Sequence, residues 1–401
     1  MKQGWTYKKL GEIATSMYRG SGIRRDQVTT DGIPCVRYGE IYTTYNISFN
    51  ECVSHTQESF VPNPKYFEHG DLLFAITGES VEDIGKTIAY MGKEKCMLGG
   101  DIICMKHNEN PKYLSYALST PDAIRQKGLG KTKLKVVHTN APSLQSIKIP
   151  LPSPAEQERI VERLDAAFAQ IDELKSNAEK QLAEARALFQ SALTQAMQPK
   201  PGWQEKKLSD ICDVINGLWK GKKPPYIKVG VIRNANFTKS FTLRYDNIEY
   251  LDVEVRQYEK RKLQKGDLIV EKSGGSEKQP VGRAVLFERE DGEFSFSNFT
   301  SILRIKDKNT FLSKFLYYFL LFIYKRGDTF GMQRATTGIH NIEFEKYLSI
   351  GVPVLSLSEQ QCVVDYLDAL SKIVCDLEEI SRKTAAECDA MKQALLRQIF
   401  E

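Results

Sequence analysis

Residues 149–166 read IPLPSPAEQERIVERLDA, and residues 352–369 read VPVLSLSEQQCVVDYLDA. An apolar run containing proline leads to Glu-Gln and then to Leu-Asp-Ala, at the same spacing in both places. Self-similarity extends outward from these two stretches. Upstream, Gly4-Trp5 with Lys8-Lys9-Leu10 recurs as Gly202-Trp203 with Lys206-Lys207-Leu208, and Val36-Arg37 as Ile232-Arg233. Gly70-Asp71-Leu72-Leu73 returns as Gly266-Asp267-Leu268-Ile269, and Lys112-Tyr113-Leu114 as Lys314-Phe315-Leu316. The order is the same throughout, so the chain is an internal duplication with small insertions.

Downstream of each quoted stretch lies a long helical pattern. In the first, a seven-residue repeat aligns Leu164, Ile171, Ala178, Ala185 and Ala192, with Ile160, Ala167, Leu174 and Leu188 expected at the second seam position. In the second, Leu367, Val374, Cys388 and Leu395 form the first seam, and Val363, Leu370, Leu377 and Met391 the second. Ser153-Pro154-Ala155-Glu156 and Ser356-Leu357-Ser358-Glu359 are start signals with serine and an early glutamate. Both seams weaken at mid-length, at Ala178 and Gln181 and at Ser381 and Thr384, so an antiparallel pairing sets the weak centres against each other. The alternative, ordinary amphipathic helices on separate domains, is disfavoured by length, since neither pattern contains a glycine or an internal proline over more than forty residues. At 1.5 Å per residue such a pair is roughly 60 Å long, with the domains expected at its opposite ends.

Short β-like runs (Pro34 to Ile41, Asp71 to Ile76, Asp101 to Met105) fill the front of the first half, with helical patterning near Tyr113 to Lys127. The predicted fold is therefore α+β. It has two similar domains at 1–153 and 199–355 and spacer helices at 154–198 and 356–401. The duplication also places the end of the chain, Glu401, close to where the first domain begins.

With 401 residues, 41% hydrophobic and 27% charged, the composition fits a globular two-domain protein. The eight cysteines form no CxxC pair and the five histidines are dispersed, which argues against a zinc site. Free thiols and a polar opening without a signal peptide point to the cytoplasm. The most apolar run, Phe315 to Ile323, is too short to span a membrane and reads as a buried helix.

The net charge of +5 says little until it is located. From Val214 to Tyr245 there is no acidic residue, while Lys220, Lys222, Lys223, Lys228, Arg233, Lys239 and Arg244 alternate with Trp219, Tyr226, Phe237 and Tyr245. From Ala123 to Ala155 acids are again absent, and Lys131, Lys133 and Lys135 stand close together. These are candidate phosphate contacts. Arg233 with Asn234 and Asn236, and Arg37 as the repeat-mate of Arg233, are candidates for reading base edges. A solvated basic surface is the plainer reading; its recurrence in both copies favours nucleic acid.

Catalytic motifs fail on inspection. Gly85-Lys86-Thr87 and Gly130-Lys131-Thr132 lack the leading glycine of a phosphate loop. Asn63-Pro64-Lys65-Tyr66 and Asn110-Pro111-Lys112-Tyr113 carry a lysine where amino-methyltransferases have a second proline. Pro121-Asp122 has no carboxylate following it until Glu156, as a nuclease metal site would need. No cofactor, metal or catalytic residue is expected.

The whole chain resembles the specificity subunits of type I restriction-modification systems. The resemblance rests on the two Gly-Trp-x-x-Lys-Lys-Leu openings, on Gly70-Asp71-Leu72-Leu73 leading to Thr77-Gly78 and Ile84-Gly85-Lys86, and on Ile149-Pro150-Leu151-Pro152 before Glu156-Gln157. The second copy departs at Gly351-Val352-Pro353-Val354-Leu355 and Val281-Gly282-Arg283. The resemblance implies a non-catalytic subunit whose two domains each read half of a split double-stranded DNA target. The helices would serve as spacer and dock for two methyltransferase subunits, with restriction-translocase subunits joining. Leu164, Ile171, Leu174, Leu367, Leu370, Val374 and Leu377 are the docking and coiled-coil candidates. A protein-binding scaffold and a stand-alone DNA-modifying enzyme are the alternatives from other classes.

Overall fold

The computed structural model describes residues 4–131, 136–219, 221–276, 279–336 and 339–401. The chain divides into two compact units, one of Met1–Glu179 with Ile380–Glu401, the other of Lys180–Glu379. The long helices, Pro154–Met197 and Leu357–Phe400, therefore each contribute to both.

In the first unit a five-stranded sheet runs in the order Ala14–Arg19, Ile102–His107, Leu72–Ala75, Thr87–Tyr90, Ser48–Phe49. Successive side chains of a strand point to opposite faces. Leu72 and Phe74 accordingly join a core with Tyr113, Leu114, Leu164 and Phe168. On the other face Leu73 and Ala75 pack with Tyr90 of the same sheet and with Val36, Phe67 and Leu98 of a second sheet. The central strand is thus covered on both faces, which is why its sequence shows no polar alternation. A two-stranded ribbon, Thr6–Lys9 against Lys148–Leu151, brings the Lys-Lys opening beside the proline-rich exit.

The second unit repeats this plan. Cys212–Asn216, Thr300–Ile305, Leu268–Glu271 and Ala284–Leu286 form the sheet in the corresponding order, and Glu205–Lys207 pairs with Gly351–Pro353. The helix Ser313–Arg326 buries every residue from Phe315 to Ile323, as expected of a segment apolar all round. Among the described residues no helix is long and apolar enough to cross a membrane.

The repeated polar residues turn out to be paired structural devices. Gln157 is fully buried; its Oε1 accepts from Asn110 N (3.1 Å) and its Nε2 donates to Pro152 O (3.1 Å). Gln360 does the same with Leu312 N (2.8 Å) and Leu355 O (2.9 Å). Leaving such buried backbone groups unpaired costs about 1–3 kcal/mol each. Asp165 accepts from Tyr116 Oη (2.7 Å) and pairs with Lys112 (2.7 Å), while Asp368 accepts from Tyr318 Oη (2.6 Å) and pairs with Lys314 (2.8 Å). Asp71 accepts from Glu68 N (2.9 Å) and holds Lys106 (3.1 Å); Asp267 accepts from Gln264 N (2.8 Å) and holds Arg304 (2.7 Å).

The long helices pair antiparallel. In the first unit Asp172 bonds to Lys392, and Lys175 meets Asp389 (3.8 Å), three residues on in one helix and three back in the other. In the second, Arg186 meets Glu378 (2.7 Å), fourteen residues on and fourteen back from the Asp172 pair. At its start the second helix carries a reciprocal cap: Ser356 Oγ accepts from Glu359 N (3.3 Å), and Ser356 N donates to Glu359 Oε2 (2.9 Å). Ser356 Oγ also donates to Glu359 Oε2 (2.6 Å), and this bond, with that from Ser356 N, holds the Glu359 carboxyl below its usual range. The chain end packs where the duplication places it, with Phe400 against Trp5 (6.4 Å) and Tyr113 (5.5 Å) and Glu401 accepting from Asp122 N (3.1 Å).

Two local expectations change. The run Pro34 to Ile41 is a strand only over Ile33–Val36; Tyr38–Thr43 is helical, because Arg37 and Glu40 form a start box in which Glu40 accepts Arg37 N (2.9 Å). The second seam of the first helix keeps Ile160, which is buried as expected, and is turned by one residue beyond it. Phe168 and Lys175 occupy it in the first unit, Leu182 and Phe189 in the second, while Leu174 (55% exposed) and Leu188 (57%) face outward.

Candidate nucleic-acid interface

In the second unit the strand Tyr226–Ile232 pairs with Glu249–Glu254. Ile227, Val229 and Val231 pack with Val253, Tyr258 and Leu218, so Tyr226 and Lys228 project from the other face, opposite Glu254 and Asp252. Tyr226 and Tyr250 are about half exposed there, and Lys228 is exposed. The preceding loop carries Trp219 (65% exposed) and the exposed Lys222 and Lys223, neither of which makes an ion pair among the described residues. Lys220, Lys133 and Lys135 lie outside the described residues. Lys131 is half-buried on the turn after the helix Pro121–Gly128.

The acid-free stretch is not an acid-free surface. Arg233 is paired with Glu249, Arg244 with Asp246 (3.1 Å), and Lys228 stands across from Asp252. Those acids come from the adjacent strand or the turn before it, beyond the end of the stretch. Lys127, from the basic run of the first half, is buried: its Nζ donates to Leu118 O (2.8 Å) and Thr87 Oγ1 (3.0 Å), and burial brings its pKa down to about 7.

Of the proposed base readers, Asn236 is corrected. It is fully buried, its Oδ1 accepts Arg233 N (2.8 Å), and its Nδ2 donates to Asn247 O (3.1 Å) and Arg244 O (3.4 Å). It builds the turn after Arg233 as Glu40 does after Arg37, and no amide edge is left for a base. Asn234 is half-buried; its Nδ2 donates to Ser273 O (2.6 Å) and its Oδ1 has no partner among the described residues. Arg37 is clamped by Glu40 (Nε to Oε1, 3.0 Å) and lines an open groove of about 680 Å³ with Arg25, Tyr38, Gly39, Gly100 and Asp101.

Sequence reasoning missed the exposed rings of Tyr38, Tyr250, Phe299 and Phe330. By hydrophobicity alone they read as core; only Phe299 lies on a turn, beside Asn298, whereas Tyr38 opens a helix, Tyr250 sits on a strand and Phe330 on the 3-10 turn Asp328–Met332. The methyltransferase-like Asn110-Pro111 is a helix start, with Asn110 Oδ1 accepting Tyr113 N (3.0 Å). Among the described residues no group of His, Cys, Asp and Glu is placed to hold a metal ion.

On the long helices, Leu164, Ile171 and Leu367 are buried within their own units, and Leu370, Val374 and Leu377 are half-buried. The outward face of the second helix exposes Tyr366, Ile373 and Ile380, each about half accessible and spaced by seven.

Comparison with known proteins shows the family of the chain. The model of the type I restriction modification DNA specificity domain matches twice, over residues 2–184 and 200–387. The StySPI type I restriction enzyme specificity subunit of Salmonella potsdam is 21% identical, covering all of this chain and 89% of that protein. A chain from a structural study of type I R-M system assembly and conformational transition superposes with TM-score 0.74 at 18% identity, covering 99% of this chain and 98% of that one. The HsdS subunit of Thermoanaerobacter tengcongensis gives 0.54 at 19%, covering 100% and 97%. At these identities the structural likeness speaks for the fold.

Proposed function

The chain belongs to the type I restriction-modification specificity subunit family, and on that premise we propose that it is a non-catalytic DNA-reading subunit recognising a bipartite target, one half-site per unit. The observation that carries this is the surface of the second unit, where Trp219, Lys222, Lys223, Tyr226 and Lys228 stand exposed together on a duplicated specificity domain. Unpaired lysines suit phosphates and flat rings suit sugar and base edges. In the first unit the groove beside Arg37 and Tyr38 is the corresponding candidate.

The partners follow from the helices. Tyr366 and Ile373 in one unit, and Leu174 and Ile380 in the other, form apolar surface on a charged helix pair. Such surface suits docking of methyltransferase subunits, to which restriction-translocase subunits add. Methyl transfer then takes place in the partner, and the cytoplasm is where such a complex meets its DNA.

The test is to co-express the chain with its methyltransferase, map methylated adenines, and measure duplex binding across salt. The Lys222→Ala, Lys223→Ala double variant is expected to weaken binding at every sequence and to lower the salt slope by about two. Asn234→Ala is expected to relax one half-site only, at about 1–3 kcal/mol. Equal shifts of sequence preference in both variants would show that positioning and reading are not divided in this way.

A further inference from the structure

Residues 217–219 and 221–225, which carry Trp219, Lys222 and Lys223, are tied at their start, middle and end by one short segment, Glu254–Arg261. At the start, Arg261 Nε donates to the carbonyl oxygens of Asn216 and Gly217 (3.1 Å each), and its Nη1 donates to Gln257 Oε1 (2.8 Å). At the end, Val255 N donates to Pro225 O (3.0 Å). In the middle, Glu254 Oε2 accepts the backbone N–H groups of both Lys222 and Lys223 (3.3 Å each). Consecutive N–H groups closing on one carboxylate oxygen form an anion nest. Gly221 permits the closure: its φ is +76°, and a Cβ there would lie 2.5 Å from Glu254 Oε2 and 2.6 Å from Glu254 Cβ.

We propose that Glu254 is a positioning residue for DNA binding, an acidic side chain that strengthens binding to a polyanion by holding the backbone from which Lys222 and Lys223 project. This rests on the reading that those lysines contact phosphate. It has a sign that sets it apart from simple electrostatics. An acid that merely sits on a DNA-facing surface repels phosphates, so its removal tightens binding. An acid that orders the contacting loop does the reverse, because the lysines then lose conformational freedom only on binding, at the expense of affinity.

The experiment uses the full chain assembled with its methyltransferase and a labelled mixed-sequence duplex titrated at several salt concentrations. Glu254→Ala is expected to weaken binding by roughly tenfold at moderate salt and to lower the salt slope by about one, the signature of a lost phosphate contact. Glu254→Gln, which keeps an acceptor oxygen in place, is expected to retain most of the affinity. In the Lys222→Ala, Lys223→Ala background, Glu254→Ala is expected to add no further loss, since its effect runs through those side chains. Should Glu254→Ala fail to fold, Gly221→Ala, which sets a methyl group against the same carboxylate, carries the test with the same expected direction. Tighter binding by Glu254→Ala, a Gln variant as weak as Ala, or an undiminished loss on the lysine-free background overturns the proposal. Wild-type binding by the double lysine variant alone identifies a failure of the phosphate reading instead.

Discussion

Lys127 shows how far a residue's role departs from its sequence context. It belongs to an acid-free run that reads as phosphate-binding, yet it is inside the first unit, bonded to Leu118 O and Thr87 Oγ1. The unfolded chain keeps this amine protonated up to about pH 10.4, whereas burial lets the folded state release the proton near pH 7. Between those values the unfolded state binds more protons, so this residue makes stability rise with pH; below pH 7 the cost of the buried ammonium is fully present. Lys127→Met is expected to remove that slope. Urea midpoints of wild type and variant, compared from about pH 7 to about pH 10, should move steadily in favour of wild type, and a constant difference would contradict the assignment. Asn236 is a parallel case, since its place in an Arg-Asn-Ala-Asn run suggested base reading and its burial makes it a turn residue.

For the elements, periodicity was decisive for the existence of the long helices and weaker for their orientation. A heptad pattern with alanine at many positions fits two seams that differ by one residue, and only the side chains packed against the helix choose between them. Phe168 is chosen because it packs edge-on to Tyr116 (5.2 Å) beneath the Lys392 ammonium (5.1 Å). Phe168→Ala is therefore expected to destabilise the first unit by about 3–5 kcal/mol, while Leu174→Ala, exposed, should change stability by no more than about 0.5 kcal/mol. Chemical denaturation of the two variants decides the seam. If Leu174→Ala also weakens capture of the methyltransferase at unchanged stability, its outward face is a docking surface.

For the whole molecule, the register of the helix pair gives the proposed bipartite reading a mechanical test. With Lys175 against Asp389 and Arg186 against Glu378, a four-residue insertion after Ala178 is matched by one after Ala385. Each helix then lengthens by about 6 Å and turns by roughly 40°, against about 3.4 Å and roughly 34° for one DNA base pair. The unread spacer is expected to grow by one or two base pairs with the half-site letters unchanged, as methylation mapping reads directly; an unaltered spacer, or altered letters, defeats the idea that the helix pair sets the distance between half-sites. The sequence by itself determined the duplication, the two long helices, the family and the return of Glu401 to the first unit, because these follow from local pattern and from repeated motifs whose order survives divergence. Only the tertiary structure decided which charges remain available. The strand ending at Glu254 brings Glu249, Asp252 and Glu254 against a run that contains no acid, and no local pattern records which strand will be its neighbour.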